Sequence, residues 1–144
     1  MSLGVLVAIV VVGIAAVVLA VHWTGGTRDA VLSGEAHARS RFADDFPGEK
    51  VRSVLLTNPA TAAFLELEGV RTGIVQAFGA HFLTRIVTPA DIASVGRDGA
   101  ATLVIGTRDF TWRGGRFTFA DAEDADRVAA RLSPANQNEQ RKIA

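Results

Sequence analysis

The chain of 144 residues contains no cysteine and no tyrosine, and only one methionine. Without cysteine there can be neither a disulfide nor a thiolate metal site, so any folded domain must be held by its apolar core. Histidine is scarce too. His22, His37 and His81 are the only three, and none has a second histidine or a carboxylate at a metal-ligating spacing such as HExxH. Structural or surface roles are therefore expected of them. Charge of one sign is also missing: 15 basic and 15 acidic residues leave a formal net charge of zero. That balance argues against a nucleic-acid partner.

Signatures of catalysis are equally thin. No GxGxxG or GxxxxGK[ST] arrangement would cradle a phosphate, and Gly69, Gly79, Gly99, Gly114 and Gly115 all have turn explanations. No GxSxG elbow presents a nucleophile, and neither Ser33 nor Ser94 has the context for one. The expectation is a protein that is not an enzyme, takes no cofactor and binds no small-molecule substrate. A small enzyme or metal protein is the least supported alternative.

What the sequence does have is a long apolar run. Leu3 to Val21 reads LGVLVAIVVVGIAAVVLAV, nineteen positions without a charged or strongly polar side chain. As a helix it would span roughly 28 Å, close to the ~30 Å hydrocarbon core of a bilayer. Lipid forces backbone pairing within the segment, so a run rich in Val and Ile is still expected to be helical. His22 and Trp23 follow where an interfacial belt belongs. A cleaved signal peptide is the competitor, with Val18-Leu19-Ala20 as its site, but the run lacks a basic n-region and exceeds the about 7–15 apolar residues required.

No Lys or Arg precedes the run, whereas Arg28, Arg39 and Arg41 follow it. The positive-inside rule then predicts an N-out anchor with the soluble part in the cytoplasm. Abundant Ala, Val, Arg and Gly resemble the product of a GC-rich bacterial genome, so the expected address is a bacterial inner membrane, crossed once. Gly13, Ala16 and Ala20 share one helix face and would permit close approach of another transmembrane helix, although small residues are common in such segments.

Past the anchor, the sequence predicts a linker at 24–46, a mainly-β domain at 47–133 and a disordered tail at 134–144. Thr24-Gly25-Gly26-Thr27 reads as a flexible break. Ala30, Val31, Gly34, His37 and Ala38 have helical spacing, but the stripe is thin and Gly34 weakens it. Pro47-Gly48 is taken as the start of the domain.

Residues 50–57 fit either a strand or a helix, ended by Asn58-Pro59. Runs at 62–68, with Ala63, Leu65 and Leu67 on one face, at 70–78 and at 81–88 then predict an antiparallel meander. After Pro89 come short strands at 91–95, 101–106, 109–113 and 116–119, the last two joined by a Gly114-Gly115 hairpin. Phe110, Trp112, Phe117 and Phe119 alternate with polar residues and are expected in the core. The last element is a helix N-capped by Asp121, with Ala125, Val128, Ala129 and Leu132 as its buried stripe and Ser133-Pro134 as its stop. The predicted fold is thus a single transmembrane helix plus a small mainly-β domain of about six or seven strands, an open barrel or sandwich, closed by a C-terminal amphipathic helix.

The stretch from Ala62 to Leu132, with its meander, the RIVTPADIASV segment, the later strands and the ADAEDADRVAARL helix, resembles the bacterial pleckstrin-homology-like domains in element order. The resemblance implies a partly open barrel or sandwich that acts in binding or assembly without a cofactor. That family has no short motif to align, so no functional residue is carried over.

Two partners are expected, the lipid bilayer and other membrane protein subunits. The leading functional expectation is an accessory or scaffold subunit of a larger membrane complex. The alternative is a signalling module that binds anionic lipid through Arg71, Arg85, Arg97, Arg113 and Arg116, with Arg108 nearby. Each basic residue near an anionic leaflet would gain about 1 kcal/mol. Asp91, Asp98, Asp109 and Asp121 lie close in sequence and would cancel much of that field.

Overall fold

The computed structural model of the chain describes residues 1–24 and 29–133. The expected tail at 134–144, and residues 25–27 of the expected flexible break, lie outside the described residues.

The apolar run is helix α1, Leu3–Trp23, and none of its residues is buried. Thr24 ends it, its hydroxyl donating to the Ala20 and Val21 carbonyls at 2.9 and 3.2 Å. The helix is long and apolar enough to cross a membrane, a description that a signal sequence near the N-terminus also meets.

Seven strands follow. Ser53–Leu56 (β1), Ala62–Glu66 (β2), Thr72–Phe78 (β3) and His81–Val87 (β4) form one antiparallel sheet in that order. The 3-10 turn Pro89–Asp91 then carries the chain into a second sheet of Ile92–Arg97 (β5), Thr102–Thr107 (β6) and Gly114–Thr118 (β7). The Asp91 carboxylate holds this turn by accepting from the Thr88 amide at 2.8 Å and the Thr88 hydroxyl at 3.1 Å. A bridge between Thr57 and Phe119 links the sheets on the other side. The result is an open sandwich of two sheets, not a closed barrel. Residues 50–57 thus yield a strand, not the alternative helix.

Ala122–Leu132 is helix α3, with Asp121 accepting from the Asp124 amide at 2.9 Å as the expected N-cap. Ala125, Val128 and Leu132 are buried with Phe64, Ile74, Leu103, Ile105 and Phe117 between the sheets, and Ala129 packs at the margin. Arg131 fastens the helix to the first sheet. One guanidinium nitrogen donates to the carbonyls of Leu67, Gly69 and Arg71 at 3.1, 3.3 and 2.8 Å.

The segment expected to be linker contains helix α2, Glu35–Asp45. Its Ala38 and Phe42, with Leu32, cover the outer face of the first sheet over Val54, Ala63, Leu65, Leu67 and Val75. Strand β2 is consequently buried on both faces, Ala62 and Phe64 toward the second sheet and Ala63 and Leu65 toward α2. Gly34 does not weaken this helix from within. It is the N-cap, at φ 152° and ψ −173°, a backbone conformation open essentially to glycine alone.

Residues 109–113, expected as a strand, form none. The Asp109 carboxylate accepts from the Thr111 amide at 2.8 Å and from its hydroxyl at 2.7 Å, and this Asx turn breaks the alternation. Trp112, Phe117 and Phe119 reach the core as expected, whereas Phe110 is 84% exposed. Gly114 and Gly115 belong to β7 instead of forming a hairpin turn. A Cβ on Gly114 would fall 2.0 Å from the Ile105 carbonyl oxygen, so only glycine fits there.

Candidate functional site

The arginines singled out in the sequence are dispersed among separate ion pairs. Arg71, just before β3, forks onto Glu49 at 2.7 and 2.9 Å, a bidentate geometry. Arg85 on β4 pairs with Asp109, Arg97 at the end of β5 with Asp126 of α3, and Arg116 on β7 with Asp98. Hydrogen bonds from the Thr111 hydroxyl and amide, together with Arg85, hold the Asp109 carboxyl below the usual carboxylate range despite some desolvation. Arg113 makes no ion pair among the described residues, and Arg108 uses its amide on the Asp91 carbonyl at 2.9 Å. Gly13, Ala16 and Ala20 lie on α1 and are exposed.

The histidines are also separate. His22 ends α1, and His81 opens β4. His37 accepts the Ser33 amide at Nδ1, 3.0 Å away, and stands edge-on to Phe82. No group of three or more potential metal ligands occurs among the described residues.

Two concave features are better formed. A groove of about 510 Å³ follows the free edge of β1, walled by Glu35 and Arg39 of α2 on one side and Asp124 and Arg127 of α3 on the other. Strand β1 is the terminal strand of its sheet. The Thr57 amide donates to Ala62, and Leu55 and Ser53 stand opposite Phe64 and Glu66, so these odd positions carry the ladder bonds. The backbone N–H and C=O of Val54 therefore point into the groove, whereas past Leu56 the edge is closed by the Thr57–Phe119 bridge, where the Asn58 amide donates to the Thr118 carbonyl at 2.8 Å.

The walls of the groove are charged. Arg127 reaches Glu66 at 3.2 Å and Ser53 at 3.4 Å, and Arg39 donates to the Val51 carbonyl at 2.8 Å. Burial pushes the Glu66 carboxyl up, but the Ser53 hydrogen bond and the charges of Arg127 and Arg131 outweigh it and hold the group below its ordinary value. Asp124 moves the other way, raised by burial and by Asp121. Arg52 lines the groove, is exposed, and has no side-chain partner among the described residues.

The second feature is a cleft of about 350 Å³ between the end of the β3–β4 hairpin and the β6–β7 loop, lined by Gln76, Phe78, Leu83, Thr111, Trp112 and Arg113 among others. Trp112 Nε1 donates to Gln76 Oε1 at 2.7 Å and forms its floor.

Comparison with protein-family models, with curated proteins and with solved structures finds no match for this chain. Neither concave feature was legible in the sequence. The groove needs α2 and α3 to flank one strand edge, and α2 was signalled only by the thin helical spacing that includes His37 and Ala38, in which Gly34 reads as a weakness and not as the N-cap it is.

Proposed function

We propose that the chain is a single-pass membrane protein whose β domain is a non-catalytic interaction module, an accessory or scaffold subunit of a larger membrane complex. The observation that carries this reading is the open β1 edge in its groove. An unpaired strand edge is a template for an added strand, and natural folds usually cover or blunt one. Here the edge is framed by two helices that bring charges of both signs to it, which suits an extended segment of a partner subunit.

The seven strands in two sheets with a closing helix support the resemblance to bacterial pleckstrin-homology-like domains, and with it a role in binding. Orientation in a bacterial inner membrane follows the arginine asymmetry: N-terminus outside, domain in the cytoplasm. The anionic-lipid alternative draws less support, because four of its five arginines already face a carboxylate.

A photo-crosslinking residue at Arg52 in native membranes tests the groove, with one at Val104 on the outer face of β6 as the control. The expected result is one discrete adduct from position 52, absent from position 104. It should vanish in Val54→Pro, which deletes a donor facing the groove and spares the β1–β2 ladder, with an unchanged circular dichroism spectrum showing that the sheet persists. Equal labelling at both positions, or an adduct indifferent to Val54→Pro, contradicts the proposal.

A further inference from the structure

Beyond α1, large exposed apolar side chains are few among the described residues: Val31 at 57%, Phe78 at 81%, Val104 at 42% and Phe110 at 84%. Scattered singly they would need no explanation, but they are not scattered. The Ala30 amide donates to the Gly79 carbonyl at 2.7 Å, which sets Val31 beside the β3–β4 turn that carries Phe78. Phe110 sits on the β6–β7 loop whose next residues wall the same cleft as Phe78. Only Val104 lies elsewhere. The turn itself, Gly79-Ala80, adds no charge.

The opposite end of β3 has the reverse character. There the β2–β3 turn carries exposed Glu68, and the Arg71–Glu49 pair and Arg131 gather around it. The seven residues of β3 separate the two ends by roughly 20 Å. The exposed apolar side chains therefore gather at one pole, with Arg113 and the Arg85–Asp109 pair beside Phe110, while ionic contacts gather at the other.

Covalent reach ties the apolar pole to the end of α1. Thr24 closes that helix and Ala30 is bonded to the β3–β4 turn, so the chain between them permits a separation of at most roughly 20 Å. A 21-residue helix is about 31 Å long and fills the hydrocarbon core, which leaves Thr24 at the headgroup level. The pole that faces this tether is the one with exposed phenylalanines, and apolar and aromatic side chains are the groups that settle at the headgroup and acyl boundary.

We infer that the β3–β4 turn, with Phe78, Val31 and Phe110 around it, seats on the headgroup face of the same bilayer that α1 spans. The inference rests on the reading of α1 as a retained anchor. It gives the domain a fixed attitude: the β2–β3 turn points away from the lipid, and the β1 groove runs along the side of the domain. Asp29 and His81 flank the turn and stay at the aqueous edge of the contact.

The absence of native cysteine makes a single introduced thiol unique. The full chain is reconstituted into phosphatidylcholine and phosphatidylglycerol vesicles with an environment-sensitive fluorophore on Ala80→Cys or on Glu68→Cys. Quenching is compared between lipids carrying a shallow nitroxide and aqueous iodide, and every sample is floated on a density gradient. The expected result is flotation of both proteins, with nitroxide quenching several-fold stronger at position 80 than at 68 and iodide quenching in the reverse order. Phe78→Asp should move the position-80 label into water without changing the fold, since Phe78 is exposed. Flotation with iodide-accessible labels at both positions overturns the contact and leaves the anchor standing. A shifted label that nitroxide lipid does not quench and that depends on protein density means a second copy covers the turn, and also overturns it. Protein left at the bottom of the gradient overturns the anchor and the inference together.

Discussion

Gly73 lies in the middle of β3 with Phe42 of α2 directly above it. A Cβ at this glycine would fall 2.7 Å from the Phe42 ring, and the ring is fully buried and cannot swing aside. We predict that Gly73→Ala destabilises the domain by about 1–3 kcal/mol, the usual cost of overpacking a filled core. Urea denaturation measures it, and Phe42→Leu in the same chain should recover part of the loss. An unchanged midpoint would mean that α2 does not press on the sheet there. In the sequence this glycine lies within the run expected at 70–78 and has no role assigned, although an isolated glycine within a strand pattern is a general sign of close approach. Its partner was not legible, because Phe42 is distant in sequence and its own stripe is thin. Phe110 is the opposite case. Alternation assigned it to the core with Phe117 and Phe119, but alternation does not register that Asp109 bends the backbone with its own side chain.

At the scale of elements, strands and helices differ in how far local pattern reveals them. The meander was legible because each strand alternates and each break carries Gly or Pro. α3 was legible because its cap, its buried stripe and its charge order agree. α2 was not, because only Ala38 and Phe42 of its residues are buried and its docking relies on polar contacts. Arg41 donates to Asp45 at 3.0 Å and to the Phe82 carbonyl at 3.3 Å, and Thr84 of β4 donates to the same Asp45 carboxylate. The Thr84 hydrogen bond, aided by Arg41 and opposed by some desolvation, holds Asp45 below its ordinary value.

The sign of the resulting pH effect follows. A carboxyl whose folded pKa is depressed contributes stability that is present in full above its unfolded pKa of about 3.9 and is lost as pH falls through the folded value. The thermal midpoint should therefore drop as the solution is acidified below about pH 4, and Asp45→Asn should flatten part of that drop. Circular dichroism melts at a series of pH values check this. An identical acid profile in the variant would remove Asp45 from the docking of α2.

For the whole molecule, two sheets closed by α3 and backed by α2 leave one strand edge open in a groove and the exposed apolar side chains gathered at one pole. The meander from β2 to β4 and the closing helix could be read in advance because they depend on neighbours in the chain; the strand expected at 109–113 does not form, and residues 50–57, open between strand and helix, supply β1. The groove, the dispersal of the arginines into pairs and the apolar pole could not, since each depends on which distant elements meet. Everything proposed about partner and bilayer presumes that α1 stays attached. The most direct measurement is therefore the intact mass of the protein that remains in membranes after an alkaline carbonate wash. The account predicts that the chain in the washed membrane retains the apolar run from Leu3 to Val21. A shorter chain in the soluble fraction, beginning just after Ala20, would contradict it.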